Sequence, residues 1–251
     1  MKCVILGSTG YHPNGSRHTA CYFLPEFGIV LDAGTGFYRI GDYLRTDGLD
    51  IFLSHAHLDH VIGLSYLSDV LAQHPLREVR VHGEPDKLDA VEQHLFSELL
   101  FPERPPCRFV PMPSSMLLPG GGRMETCLLR HRGGSLGFRL TWKDRSMAYI
   151  TDTVASADAP YRDLVRGVNL LIHECYFPDA QQSHAARTGH STPTGVAELA
   201  SEAGVGRCVL VHINPLLSDD AIYQHDALGL ESARRIFPLL EIGRDFQEFD
   251  F

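Results

Sequence analysis

The sequence predicts an α/β fold in four layers, with two β-sheets packed together and helices outside them. Short apolar runs bounded by turn residues recur along the chain, as strands do. The early runs follow one another mostly without helices, while the later ones alternate with helix-like segments. The length of 251 residues fits a single domain spanning 1–251, and 44% hydrophobic residues can fill a substantial core.

The expected strands are, in order, KCVIL, ACYFL, FGIVLDAG, LDIFLSH, EVRVHG, CRFVPM, METCLLRH, SLGFRLTW, SMAYITDT, LLIHECYF and RCVLVHIN. Helices are expected over VIGLSYLSDVLAQHP, over EPDKLDAVEQHLFSELLF with its acidic start, and over TPTGVAELASEAGV, where Pro193 stands early and a glycine ends the run. DDAIYQHDALGLESARRIFPLL reads as a broken pair of helices. Pro102 to Gly122 is rich in proline and glycine and reads as a loop-rich connection with one short strand.

Composition narrows the function. The formal net charge of −9 argues against broad electrostatic capture of nucleic acid, although a small positive site remains compatible with it. No apolar run reaches the roughly 18–20 residues of a membrane span. The start MKCVILGSTG lacks the long apolar core of a signal peptide, so a cytoplasmic location is expected. The six cysteines include no C-x-x-C pair and mostly sit in apolar runs, which predicts buried thiols and neither disulfides nor a cysteine zinc site.

The strongest chemical signal is IFLSHAHLDHVIGL. It places His55, His57, Asp59 and His60 within six positions, directly after a strand-like run. In extended chain, His55 and His57 project to one side. Imidazole and carboxylate suit zinc first, with manganese or iron as alternatives. Three further residues end apolar runs, namely His131, Asp152 and His212. Each alone reads better as a structural residue, but their shared placement makes them candidate ligands.

The pattern H-x-H-x-D-H, then one His, one Asp and a final His, with VLDAGTG upstream, resembles the metallo-β-lactamase superfamily of dinuclear hydrolases. The resemblance runs from LGSTG to VHINP and implies the αββα sandwich with two divalent metal ions at one edge of the sheets. By that pattern, His55, His57 and His131 would hold one metal, and Asp59, His60 and His212 the other. Asp152 would bridge them, and Asp59 counts among the catalytic residues as well. Two divalent ions, two carboxylates and a bridging hydroxide leave about one net positive charge, which favours an anionic substrate.

Two segments, LLIHECYF and TGHSTPTGVAELASEAGVGRCVLVHINP, with HRGGSLGFRL, look like the ribonuclease Z branch. The match implies that Glu174 orients His190, which would protonate the leaving oxygen of a phosphodiester. Without the resemblance, His190 reads as a helix-start cap and Glu174 as an ordinary strand-end acid. His173 reads as structural. The tRNA-binding members of that branch carry a long Gly-rich arm between the middle histidine and the bridging aspartate. Here LGFRLTWKDRSMAYITDT reads instead as two strands joined by a tight polar turn.

The resemblance therefore implies a phosphodiesterase that attacks small or cyclic phosphodiesters through a metal-bridging hydroxide, with a possible homodimer. The alternatives are a ribonuclease Z-type RNA 3′-processing nuclease, a thioester or lactone hydrolase on the same metals, and a non-catalytic metal-binding scaffold. In the loop GSTGYHPNGSRHTA, Arg17 and His18 form either a surface turn or a grip on a phosphate. His12, His184 and the tail RDFQEFDF carry no functional expectation.

Overall fold

The computed structural model describes residues 1–251. Its packing defines two compact units, residues 1–113 with 244–250, and residues 114–243 with Phe251.

The first unit holds strands β1 (Lys2–Gly7), β2 (Cys21–Leu24), β3 (Ile29–Leu31), β4 (Gly48–Phe52), β5 (Glu78–Gly83) and β6 (Arg108–Pro111). In the second unit are β7 (Ser115–Leu118), β8 (Gly122–Leu129), β9 (Ser135–Trp142), β10 (Arg145–Ile150), β11 (Leu170–Glu174), β12 (Arg207–Val211) and β13 (Leu240–Ile242). The last strand, β14 (Glu248–Asp250), returns to the first unit beside β1.

Each unit is thus built on one mixed, seven-stranded sheet, in the orders β14-β1-β2-β3-β4-β5-β6 and β13-β12-β11-β10-β9-β8-β7. In the first sheet, pairs from β14 to β3 are antiparallel and pairs from β3 to β6 are parallel. In the second, β7 to β10 pair antiparallel and β10 to β13 parallel. Antiparallel pairs such as β2–β3 and β9–β10 are joined by short turns, whereas the parallel ones need crossovers. Strands such as CYFL are buried at every residue, which is why they read as continuous apolar runs rather than alternating ones.

The crossovers supply the helices. The first unit has α1 (Leu58–Val61), α2 (Leu67–Gln73) and α3 (Pro85–Ala90). The second has α4 (Arg162–Val165), α5 (Gln182–Thr188), α6 (Pro193–Glu202), α7 (Asp219–Tyr223) and α8 (Leu230–Ile236). Val61, Leu64, Leu67 and Val70 pack with Val30, Ile51 and Val81 in one apolar cluster. Val196, Leu199 and Ala200 pack with Ile150, Leu171 and Leu210 in the other. No helix is long and apolar enough to cross a membrane.

Several expectations need correction. The helix expected over 84–101 ends at Leu95, after a π-type turn over Val91–Leu95. The amide of Phe96 donates to the carbonyl of Val91 across that turn, and both side chains reach the core. Burying this pair overrides the α-period. The helix expected over 61–75 is interrupted by a 3₁₀ stretch at Ile62–Tyr66. The tail RDFQEFDF is structural. Phe249 is buried in β14, and Asp245 accepts from the Ser8 amide (3.0 Å), the Ser8 hydroxyl (2.7 Å), the His18 amide (2.7 Å) and Arg39 (2.5 Å). Arg17 is not in an exposed surface turn. It is 2% exposed and donates to the Ser8 hydroxyl at 2.9 Å. All six cysteines are free, as expected.

Candidate metal centre

In each sheet the chemistry-bearing residues follow the carboxyl ends of strands, where α/β sheets place their sites. In the first sheet, β3 leads to Asp32 and β4 leads to the His-Asp cluster. In the second, β10 leads to Asp152, β11 ends on Glu174 and β12 leads to His212. β8 and β10 are both antiparallel to β9, so they run the same way and His131 emerges at the same sheet end as Asp152. Asp32, Asp152 and His212 all have positive φ, at 57°, 49° and 54°. Such backbone is uncommon outside glycine and gathers at functional sites, where it redirects a side chain at the strand end.

The first unit gathers four donors. The His55 ring lies 4.4 Å from His57 and 4.3 Å from His60, centroid to centroid. His60 Nε2 is 3.4 Å from Asp59 Oδ2, which also accepts from the Tyr11 amide at 2.7 Å. Gly34 allows this close packing, because a Cβ there would lie 2.2 Å from the Asp59 carbonyl oxygen.

Asp32, fully buried, sets the histidine tautomers. It accepts from the Ser54 amide and hydroxyl and from His60 Nδ1, each at 2.7 Å. A carboxylate only accepts, so Nδ1 of His60 carries the proton and Nε2 keeps the lone pair. The Ser54 hydroxyl spends its proton on Asp32 and therefore accepts from His55 Nδ1, at 3.0 Å. His55 is fixed in the same tautomer. Nothing local in VLDAGTG reveals this role of Asp32. The available signal was an aspartate directly after an apolar run.

The second unit gathers the others around Asp152. His131 Nε2 is 3.3 Å from Oδ2 of Asp152 and His212 Nε2 is 3.2 Å from Oδ1. The Thr151 hydroxyl steadies Oδ1 at 2.9 Å. Ligand atoms of Asp152, His190 and His212 lie within 4.8 Å of one another.

These separations test the donor sets against a metal. Charge-assisted hydrogen bonds run at about 2.7–2.9 Å. Two ligands on a tetrahedral ion with bonds of about 2.0–2.1 Å are about 3.3–3.4 Å apart. The three N···O distances fall at or near the second value, and the donor chemistry of imidazole with carboxylate fits a divalent ion. In each unit, the donors fit a metal better than an ordinary ion pair.

Beside them stand Glu174 and His190. Glu174, fully buried, accepts from the amides of Thr153 (3.1 Å) and Ser191 (3.0 Å) on Oε1 and of Tyr176 (3.1 Å) on Oε2. His190 Nδ1 faces Oε1 at 3.3 Å, which leaves Nε2 as the nitrogen available for chemistry. The His190 ring stacks on Tyr176, with centroids 5.1 Å apart and planes at 28°. Gly189 precedes it with φ +80°, capping α5, and a Cβ there would come within 3.2 Å of His131 Nδ1. His173 is structural, as expected. Its Nδ1 donates to the Glu174 carbonyl at 2.8 Å and its Nε2 accepts from the Tyr161 hydroxyl at 2.9 Å. His18 does not join the donors. Its Nδ1 lies 3.2 Å from the Thr35 carbonyl.

The Beta-lactamase superfamily domain matches residues 28–213, most of the chain, so the protein belongs to that superfamily and has its metallo-β-lactamase fold. It is 27% identical to the ribonuclease Z of Bradyrhizobium sp. (strain ORS 278), over 98% of each chain. That alignment takes 304 positions against 251 residues, so the relative carries segments without counterpart in this chain. It is 40% identical to the ribonuclease Z of Synechococcus sp. (strain WH7803) over 106 residues, 42% of this chain and 32% of the relative. The chain thus spans about a third of the length of that relative. Among solved structures, the metallo-β-lactamase fold protein YhfI from Bacillus subtilis shares 18% identity, 99% of each chain and a TM-score of 0.77. The short form of human tRNase Z shares 22% identity, 100% of this chain and 99% of its own, with a TM-score of 0.73. These structures share the fold expected from the sequence.

Proposed function

We propose that the chain is a metal-dependent phosphodiesterase acting on small or cyclic phosphodiesters. The observation that carries this reading is His190, held by buried Glu174 beside Asp152 and His212. Cleaving an alkyl phosphodiester expels an alkoxide, which needs a proton, and an imidazole backed by a carboxylate supplies one. A thioester expels a thiolate of far lower basicity and has little use for such a donor.

In this reading His55, His57 and His131 would hold one ion and Asp59, His60 and His212 a second, with Asp152 available to both. Bound there, two divalent ions would polarise the phosphoryl oxygens and lower the pKa of the attacking water. The chain's own residues do the rest. Asp32 and Ser54 keep Nε2 of His55 and His60 unprotonated. Glu174 orients His190 through Nδ1, and the His190 Nε2 proton passes to the leaving oxygen.

A second reading, a ribonuclease Z-type nuclease, draws support from the relatives of that name. The net charge of −9 weighs against it. So does the two-residue Lys143–Asp144 turn joining β9 and β10, where tRNA-binding members carry an arm. Metal-loaded protein assayed against bis(p-nitrophenyl) phosphate, a cyclic nucleotide, a thioester and precursor tRNA separates the readings. The proposal expects turnover of the first two. Thioester hydrolysis alone would overturn it, and efficient tRNA 3′-end cleavage at physiological salt would favour the nuclease.

A further inference from the structure

A hollow of about 420 Å³ opens in the first unit, with His18, Thr35, Tyr38, Tyr66, Asp69 and Gln73 in its walls. None of these residues has a role in the site described above. The walls are nevertheless tied to Asp59. Thr35 follows Gly34, which packs on the Asp59 carbonyl. The loop that ends in His18 is anchored at its other end by the Tyr11 amide on Asp59 Oδ2. Tyr66 to Gln73 continue the helical segment that Asp59 and His60 begin. The walls of the hollow are thus joined through the chain to the elements that carry Asp59 and His60.

The lining indicates which substituent fits. The volume falls within the usual range for small-molecule pockets, about 300–1,000 Å³. Tyr38 is 51% exposed, so part of its surface is open. It is steadied by the His18 ring, 5.3 Å away, and by the Arg39 guanidinium, 5.5 Å from its centroid. Burial, and then the charge of Arg39, push the His18 pKa below its ordinary value, so this ring is neutral near pH 7. No lysine or arginine lines the hollow, and the Asp69 carboxylate opposes a phosphate there. Asp69 accepts N–H donors. Gln73, four residues on along α2 and on the same face, offers both a donor and an acceptor. An uncharged planar ring with N–H donors on its edge meets all these conditions.

We propose that this hollow is the base subsite for a nucleotide-type phosphodiester, with Tyr38 as the stacking platform and Asp69 and Gln73 reading the edge of the base. The placement of phosphorus rests on the phosphodiesterase reading. The base recognition does not. Guanine presents two parallel N–H donors to a carboxylate and fits best. Uracil, with one N–H between two carbonyls, fits worst.

The test is binding of guanosine, uridine and ribose to the metal-free full chain, followed by saturation-transfer NMR titration. Guanosine should bind more tightly than uridine, and ribose should show no saturation transfer. Tyr38→Ala should weaken guanosine about tenfold, in line with base–aromatic stacking, and Tyr38→Phe should restore it. Asp69→Asn should remove the preference for guanosine over uridine. Absence of nucleoside binding, or binding unaffected by Tyr38→Ala and Asp69→Asn, overturns the subsite. Protein that cleaves bis(p-nitrophenyl) phosphate but fails this titration keeps the phosphodiesterase reading and loses the subsite. Protein that binds guanosine through Tyr38 but cleaves no diester does the reverse.

Discussion

Replacing Asp32 by asparagine should weaken metal binding although Asp32 is not one of the proposed ligands. Its Oδ1 accepts from the Ser54 amide, and its Oδ2 accepts from both the Ser54 hydroxyl and His60 Nδ1, all at 2.7 Å. Asparagine can keep the first bond through its carbonyl oxygen. Its amide nitrogen then stands where Oδ2 was, facing two donors. The least costly relief is for His60 to move its proton from Nδ1 to Nε2, the nitrogen that would bind metal, while Ser54 turns its hydroxyl away and frees His55 from its fixed tautomer. Loss of such an outer partner typically costs 10–100-fold in metal affinity. One strained or missing buried hydrogen bond costs about 1–3 kcal/mol of stability, or about 2–12 °C in Tm for a chain of this size. Competition with a chelator gives the affinity, and ¹⁵N NMR of the His60 ring gives the tautomer. Wild-type affinity with His60 still protonated at Nδ1 would refute the role given to Asp32.

Other perturbations separate proton transfer, positioning and stability. His190→Ala should keep its metals and lose about 10²–10⁴-fold in turnover on alkyl or ribosyl diesters, but far less on p-nitrophenyl diesters, whose leaving group needs no proton. An equal loss on both, or loss of metal, would refute the general-acid role. Tyr161→Phe removes the hydroxyl that holds His173, which in turn holds the Glu174 carbonyl. It should shift the pH profile on alkyl diesters while leaving metal content unchanged, and an unaltered profile would make the pair purely structural. Burial alone would raise the Asp50 carboxyl, but hydrogen bonds from His82 and Arg80 outweigh it and hold Asp50 below its ordinary value of 3.8. A lowered folded pKa means that this stabilisation is full above the ordinary value and is lost as pH falls through the folded one. In urea melts, the gap between wild type and Asp50→Asn should therefore narrow below about pH 4, and a constant gap would contradict the linkage.

The parts of the site that the sequence reveals are those written in local spacing. H-x-H-x-D-H is visible within six residues, and His131, Asp152 and His212 betray themselves by ending apolar runs. Asp32 had the same signal but no visible task, because Ser54 and His60 stand 22 and 28 residues away. Arg17 looked like a surface residue because its burial depends on Ser8, which is itself fixed by Asp245 from 237 residues away. Strands inside continuous apolar runs were legible, even β3 at three residues, whereas β13 (LEI) and β14 (EFD) are broken up by acidic residues. The π-type turn at Val91–Leu95 was hidden for a different reason, since the α-periodic pattern continues through it and only the burial of Phe96 breaks the helix.

The proposed ligands would hold two metal ions per chain. Elemental analysis of the purified chain, loaded with zinc or manganese and then desalted, tests this most directly. About two ions per chain are expected in the wild type, with lower occupancy in both His57→Ala and His212→Ala. No metal uptake under any loading condition, or full occupancy in both folded variants, would contradict it.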